Sequence, residues 1–181
     1  MSLVRVGNYP GNMLAPEAWY SSNPLAARNT EPGAALEAAL PPNPEVEAVF
    51  DKMASDYARE VLGGVDTQPS GQPFANAYLT GMRCINHVDQ YDRPPDPHTM
   101  NRTVSLSFCL ERAEVGGLMG LQDHDMKEPT LYHPLNKGQV IMFPGDWWHH
   151  VQYVERGVRR CIIRWYADPA LEKFNSPKGD G

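Results

Sequence analysis

Cysteine is scarce and poorly placed for cross-linking. Cys84, Cys109 and Cys161 are odd in number and far apart, and no C-x-x-C occurs. That excludes a disulfide framework and a zinc knuckle, and a reducing, cytoplasmic setting is expected. No apolar run approaches the roughly 18 residues of a membrane span, so no membrane partner is expected. Met1-Ser2-Leu3-Val4-Arg5 lacks the charged-then-apolar build of a signal peptide. Positive charge is also short: 16 Lys and Arg stand against 22 Asp and Glu, a formal −6. Such a balance disfavours a broad phosphate-binding surface, so no nucleic-acid partner is expected. Internal repeats and low-complexity tracts are missing.

What is present reads as one domain over 1–181, long enough to bury a core. The 17 Pro and 15 Gly suggest many turns and a β-heavy body. The first third, 1–72, reads as helical or irregular support. A short helix is expected over 32–40. A clearer one starts at Asn43-Pro44, an N-cap followed by proline at the first helical position. Val46, Val49, Phe50, Met53, Tyr57 and Val61 then recur at spacings of three and four, which puts them on one face. Gly63-Gly64 ends it. From residue 73 the texture changes to short apolar or alternating runs. Strands are expected near 73–80, 83–89, 102–110, 117–121, 130–133, 139–143, 148–154 and 158–167. Tyr91 to Pro97 is too proline-rich for a strand interior, and Pro144-Gly145 suits the centre of a type II turn. The expected fold is mainly β with flanking helices around a double-stranded β-helix (jelly-roll) core. That core spans 73–167, and 168–181 is a tail.

Three signals carry chemistry. In His87-Val88-Asp89 the side-chain alternation of a strand points His87 and Asp89 the same way. One imidazole beside one carboxylate is two thirds of the facial triad that suits Fe(II) and leaves positions open for reaction. In Trp147-Trp148-His149-His150-Val151-Gln152-Tyr153-Val154 either histidine could complete the set. His149 shares the more apolar face with Val151 and Tyr153, which favours it. In Arg159 to Tyr166, Arg159, Cys161, Ile163 and Trp165 form the more apolar face. Arg159 is therefore buried and needs an anion, either a protein carboxylate or a dicarboxylate held bidentately.

Together these residues resemble the Fe(II)/2-oxoglutarate dioxygenases, and most closely their prolyl 4-hydroxylase-like branch. The matching segments are Tyr78-x-x-Gly81 before His87-x-Asp89, the strand leading to Gly116-Gly117, and Gly138 to Phe143-Pro144-Gly145. The last is His149-x-Val151-x-x-Val154 followed by Gly157-x-Arg159. The likeness covers about 74–167. It implies that His87, Asp89 and His149 bind iron as the catalytic centre and that Arg159 holds the distal carboxylate of 2-oxoglutarate. It implies that Tyr78 lines the cofactor pocket. It also implies that O2 is consumed, that succinate and CO2 are released, and that the product is hydroxylated. The chain departs from the branch at Arg83, Cys84, Cys109, Leu118, Met119 and Leu121, at or near the substrate, so the resemblance is silent on substrate beyond an amino acid, peptidyl proline or related small molecule.

Other residues have plainer readings. Asp123-His124-Asp125 reads as a solvated loop, His98 as exposed, and His133 as an ordinary strand residue. Arg83 shares the strand parity of His87 and could meet an anionic substrate group. Trp147 could close over substrate. The alternatives to a 2-oxoglutarate enzyme are a cupin-type metal dioxygenase that does not use 2-oxoglutarate and a non-enzymatic ligand-binding jelly roll.

Overall fold

Two antiparallel sheets turn their inner faces toward each other. In this computed structural model, which describes residues 3–27, 32–90 and 102–170, the larger sheet runs β1 (Arg5–Asn8), β11 (Gln139–Pro144), β7 (Arg102–Glu111), β14 (Arg159–Ala167), β5 (Phe74–Tyr78), β3 (Leu36–Ala39) and β2 (Ala26–Ala27). Strand β4 (Gln68–Pro69) pairs with the end of β14. The smaller sheet runs β10 (Leu131–His133), β9 (Met119–Gln122), β12 (Trp148–Val151) and β6 (Cys84–His87). A separate ribbon pairs β13 (Val154–Arg156) with β8 (Val115–Gly116). Neighbours such as β11, β7, β14 and β5 are far apart in sequence, the crossover pattern of the expected double-stranded β-helix. The expected loop at 91–97 and His98 lie outside the described residues.

Two helices, α1 (Leu14–Ser21) and α2 (Pro44–Val61), are described, and among the described residues no helix is long and apolar enough to cross a membrane. The capping expected for α2 is present. The Asn43 side chain accepts from Val46 N at 3.3 Å, and Glu47 accepts from Asn43 N at 2.7 Å. Val46, Phe50, Ala54, Tyr57 and Ala58 are fully buried and pack on Val104, Leu106 and Phe108 of β7. Burying one such large side chain is worth about 1.5–3 kcal/mol, so this face fixes the helix on the sheet. The helix also explains the second face of β14. Ile162 and Tyr166 join its core, and buried Arg164 reaches Glu47 at 2.7 Å. Both faces of β14 are therefore covered. The expected inner face is right, but helix packing, not solvent, sets the other.

Two expectations fail. The segment 32–40 is not a helix: Leu36–Ala39 is strand β3, paired with Phe74–Ala77 of β5. Its Ala, Leu and Glu are good helix formers, yet Pro41 follows and an isolated helix this short is marginal. The ladder to β5 satisfies its backbone instead. Nor is Pro144-Gly145 the centre of a type II turn. Pro144 ends β11, the turn closes from Trp147 N to Pro144 O at 3.1 Å, and Gly145 lacks positive φ. Glycine is needed there for space, because a Cβ would collide with the Arg102 carbonyl oxygen.

Candidate metal centre

The end of β6, the residue two beyond it and the middle of β12 converge on one point. His87 and His149 are direct cross-strand partners, with ring centroids 4.1 Å apart. Asp89 Oδ1 lies 3.8 Å from His87 Nε2, and Asp89 Oδ2 lies 3.4 Å from His149 Nε2. One ligand atom from each residue falls within a 4.8 Å cluster, the only such group of three among the described residues. His87 Nδ1 lies 2.9 Å from Ile85 O and His149 Nδ1 lies 3.1 Å from Trp147 O. A carbonyl only accepts, so each Nδ1 carries the proton and donates. Each ring, once its Nε2 is free of a proton, offers that lone pair to the shared point.

Asp89 is held from two sides. Its carboxylate accepts from Ser105 Oγ at 2.5 Å. Its backbone N–H and that of Gln90 both donate to Gly145 O at 2.9 Å. The tight glycine therefore positions a candidate ligand. Gly145→Ala is expected to push the turn off Arg102, destabilise the protein by about 1–3 kcal/mol, and weaken divalent-metal affinity. Thermal unfolding and a metal titration check both; wild-type values for each would contradict it.

Charge tunes the two imidazoles differently. Burial opposes a charge on His87, but the Cys84 sulfur 3.7 Å from Nδ1 and the Asp89 carboxylate outweigh it, lifting His87 to about 9. Burial dominates at His149 and holds its pKa down despite Asp89. The buried histidine is thus the readier neutral ligand in the metal-free protein, and a metal must displace a proton from the other.

The cluster opens into a cavity of 190 Å³, smaller than the roughly 300 Å³ at which drug-sized pockets begin. Tyr78 and Arg159, cross-strand partners on β5 and β14, line it. Burial pushes the Tyr78 phenol well up, so it stays a donor. Arg159 is only 2% exposed. It forms no ion pair among the described residues, its Nε has no partner, and Nη1 makes one long bond to Gly117 O at 3.4 Å. Gly116 and Gly117 take left-handed φ of 74° and 63°, and this turn presents that carbonyl. A buried guanidinium with a free edge fits a carboxylate ligand. Two imidazoles and one carboxylate fit Fe(II).

The remaining expected residues are not part of the cluster. His150 borders the cavity at its rim, while its ring packs over Gly120 and edge-on to Tyr132 at 5.7 Å. Arg160 pairs with Glu111 on the surface at 2.5 Å. Trp147 packs against the inner apolar cluster, off the cavity, and only its carbonyl serves the site. Arg83 is exposed and stacks over Tyr153 at 4.7 Å. His87 faces His149, yet Cys84 faces Val151, so β6 holds one extra residue between them. That bulge breaks the parity linking Arg83 to His87 and turns Cys84 to the cavity instead. Asp123, His124 and Asp125 lie in an exposed turn, and His133 ends β10. Sequence reasoning missed Ser105, and it placed Cys84 near the substrate without foreseeing its contact with His87. The alternation of β7 could have flagged Ser105 as inward, but nothing local marked its bond to Asp89.

Several solved structures share the fold. A prolyl hydroxylase from Trichoplax adhaerens, in complex with a peptide from the oxygen degradation domain of hypoxia inducible factor, aligns over 96% of this chain and 87% of its own, at 17% identity and TM-score 0.67. The viral collagen prolyl hydroxylase of Paramecium Bursaria Chlorella virus-1, in complex with 2OG, aligns over 91% and 96%, at 15% identity and TM-score 0.68. A non-heme alpha ketoglutarate dependent carbocyclase from nogalamycin biosynthesis aligns over 91% and 79%, at 13% identity and TM-score 0.69. No curated protein matches the chain. The family described as the 2OG-Fe(II) oxygenase superfamily matches residues 73–167, more than half of the 181. With that match over the two facing sheets and the His-Asp-His cluster, the chain belongs to the 2OG-Fe(II) oxygenase superfamily and is a 2-oxoglutarate-dependent dioxygenase.

Proposed function

We propose that this enzyme hydroxylates an unactivated C–H bond of an amino acid, peptidyl proline or related small molecule. In this reading His87, Asp89 and His149 hold Fe(II), and Arg159, assisted by Tyr78, anchors 2-oxoglutarate. The observation that carries it is Arg159: a buried cation with no acidic partner among the described residues, in the same cavity as the histidine–carboxylate cluster. The catalytic unit is 73–167, supported by 1–72 and followed by the tail at 168–181. The free thiols of Cys84, Cys109 and Cys161 accord with a cytoplasmic setting.

When bound, iron and 2-oxoglutarate supply the oxidising power, with O2 consumed and succinate and CO2 released. The chain supplies geometry. Ser105 and the Gly145 carbonyl hold Asp89 in one orientation. The Ile85 and Trp147 carbonyls lock the imidazoles. Met119, Phe143 and Ile163 line the cavity with apolar surface that keeps water from the reacting centre. Hydroxylation is the default because Asp89 occupies the carboxylate position.

The test is anaerobic reconstitution with Fe(II) and 2-oxoglutarate, followed by admission of O2 with a panel of amino acids and prolyl peptides. The expected result is a visible charge-transfer band before O2 and 2-oxoglutarate-dependent succinate release after it. O2 uptake without 2-oxoglutarate would move the chain to a cupin-type dioxygenase reaction. Failure to bind iron would leave a ligand-binding jelly roll.

A further inference from the structure

The cavity contains an acid that the metal site and the cosubstrate anchor do not use. Glu37 of β3 pairs in register with Asn76 of β5, and Asn76 pairs with Cys161 of β14. Residues directly opposite in a ladder share a face, so Glu37 lies on the inner face of the larger sheet. It lines both the 190 Å³ cavity and a 60 Å³ annex that shares Tyr78 and Cys84 with it. Glu37 is half-buried and has no hydrogen bond or ion pair among the described residues. Beside it, the Asn76 side chain bonds Tyr78, while its Oδ1 is buried without a donor. Two neighbouring acceptors thus face the cavity with nothing to accept from. A little further along the sheet, Phe74 and Trp165 form an aromatic wall, with ring centroids 5.5 Å apart.

We infer that Glu37 and Asn76 select a substrate that carries an ammonium group. This rests on the proposed function and specifies its substrate class. A primary or secondary ammonium provides two or three donors and one positive charge, which matches a carboxylate and an amide oxygen set side by side. The charge balance agrees. Iron(II) and Arg159 are matched by Asp89 and the 2-oxoglutarate dianion, so Glu37 is one negative charge in excess. An anionic substrate would add to that excess, and a neutral one could pair an acceptor but would leave the charge uncompensated. A cation removes it. The aromatic wall accommodates the alkyl or ring portion of the amine. Among the described residues, Arg83 borders the annex but is exposed and stacked over Tyr153, and Arg102, outside the cavity lining, stacks over the Trp165 ring at 4.0 Å.

The experiment uses three ligands of one chain length: pentylamine, 1-pentanol and pentanoate. Their binding to the full chain, loaded with redox-silent Zn(II) and 2-oxoglutarate, is measured by ligand-observed NMR. Zn(II) and 2-oxoglutarate binding are titrated first, and their failure counts against the proposed function alone; the comparison of pentylamine with pentanol, and the Glu37 variants, are then run on the metal-free chain without pentanoate, which the vacant Arg159 would attract. The expected result is that pentylamine binds about tenfold more tightly than pentanol, as one charge-assisted hydrogen-bond pair predicts. Pentanoate should bind most weakly. Glu37→Gln should erase the amine preference, and Glu37→Asp should keep most of it. No measurable amine binding, a preference for pentanol or pentanoate, or an amine preference that survives in Glu37→Gln would overturn the inference.

Discussion

Arg159→Met is expected to raise the melting temperature of the ligand-free protein while nearly abolishing its response to 2-oxoglutarate. Arg159 is buried without an ion-pair partner among the described residues, and its Nε is unsatisfied. Its long bond to Gly117 O and its weak contact with the Cys161 sulfur do not offset the cost of removing a guanidinium from water. Methionine keeps the length and apolar body of the side chain and removes the charge. Replacing buried ionic groups by apolar ones of similar volume is often neutral or stabilising by about 1–4 kcal/mol. In the wild type, a ligand present at 100 times its Kd stabilises by about 2.7 kcal/mol. For a domain of this size that is a rise of roughly 5–10 °C. The variant's affinity for 2-oxoglutarate should fall by about 100-fold or more, as when one partner of a buried charge pair is lost, which leaves at most about 0.4 kcal/mol of that stabilisation at the same concentration. Thermal unfolding with and without 2-oxoglutarate reads both effects. A lower melting temperature with an intact ligand response would make Arg159 a purely structural residue.

The opposite signs of these two effects explain why Arg159 could be singled out from sequence. A strand period of two placed it with Cys161, Ile163 and Trp165, and a buried arginine among such neighbours called for an anion. The same period placed Arg160 outward, where it meets Glu111. Periodicity failed where the ladder is irregular. The extra residue in β6 lies between Cys84 and His87, and no glycine or proline in the local pattern marked it. Parity therefore favoured Arg83 over Cys84. The strand Leu36–Ala39 was illegible for another reason: its residues favour helix, and only pairing with β5, some 38 residues later, decides its state. That misreading hid Glu37, whose place in the cavity follows from the pairing alone. Helix α2, by contrast, carried its cap, its apolar face and its stop within 22 residues of contiguous sequence, from Asn43 to Gly64. Local signals were enough there. Helix α1 and strand β1 depend on contacts with α2 and β11 and went unmarked.

His149→Ala should lower affinity for Fe(II) by more than about 100-fold, the upper end of what losing a mere supporting contact costs, whereas His150→Ala should leave it nearly unchanged. The two side chains are adjacent on β12 and therefore point to opposite faces of the smaller sheet. His149 is 7% exposed, its Nε2 is 3.4 Å from Asp89, and its Nδ1 proton is committed to Trp147 O. Burial favours its neutral form, so its Nε2 lone pair is available at neutral pH. His150 is also held below its ordinary pKa, by burial first and then by His87. Neutrality therefore does not distinguish the two; direction does. The His150 ring lies against Gly120, where a Cβ would collide with it, and meets Tyr132 edge-on. Truncating it removes packing on the outer face of the smaller sheet, so a stability loss of about 1 kcal/mol is expected. Anaerobic titration of Fe(II), repeated with Co(II) as a redox-stable reporter, separates the outcomes, and thermal unfolding of both variants accounts for folding. Equal loss of metal in both variants would point to a smaller sheet disturbed by either change. Loss in His150→Ala alone would move the third ligand to the other face and dissolve the His-Asp-His geometry on which the proposed reaction depends.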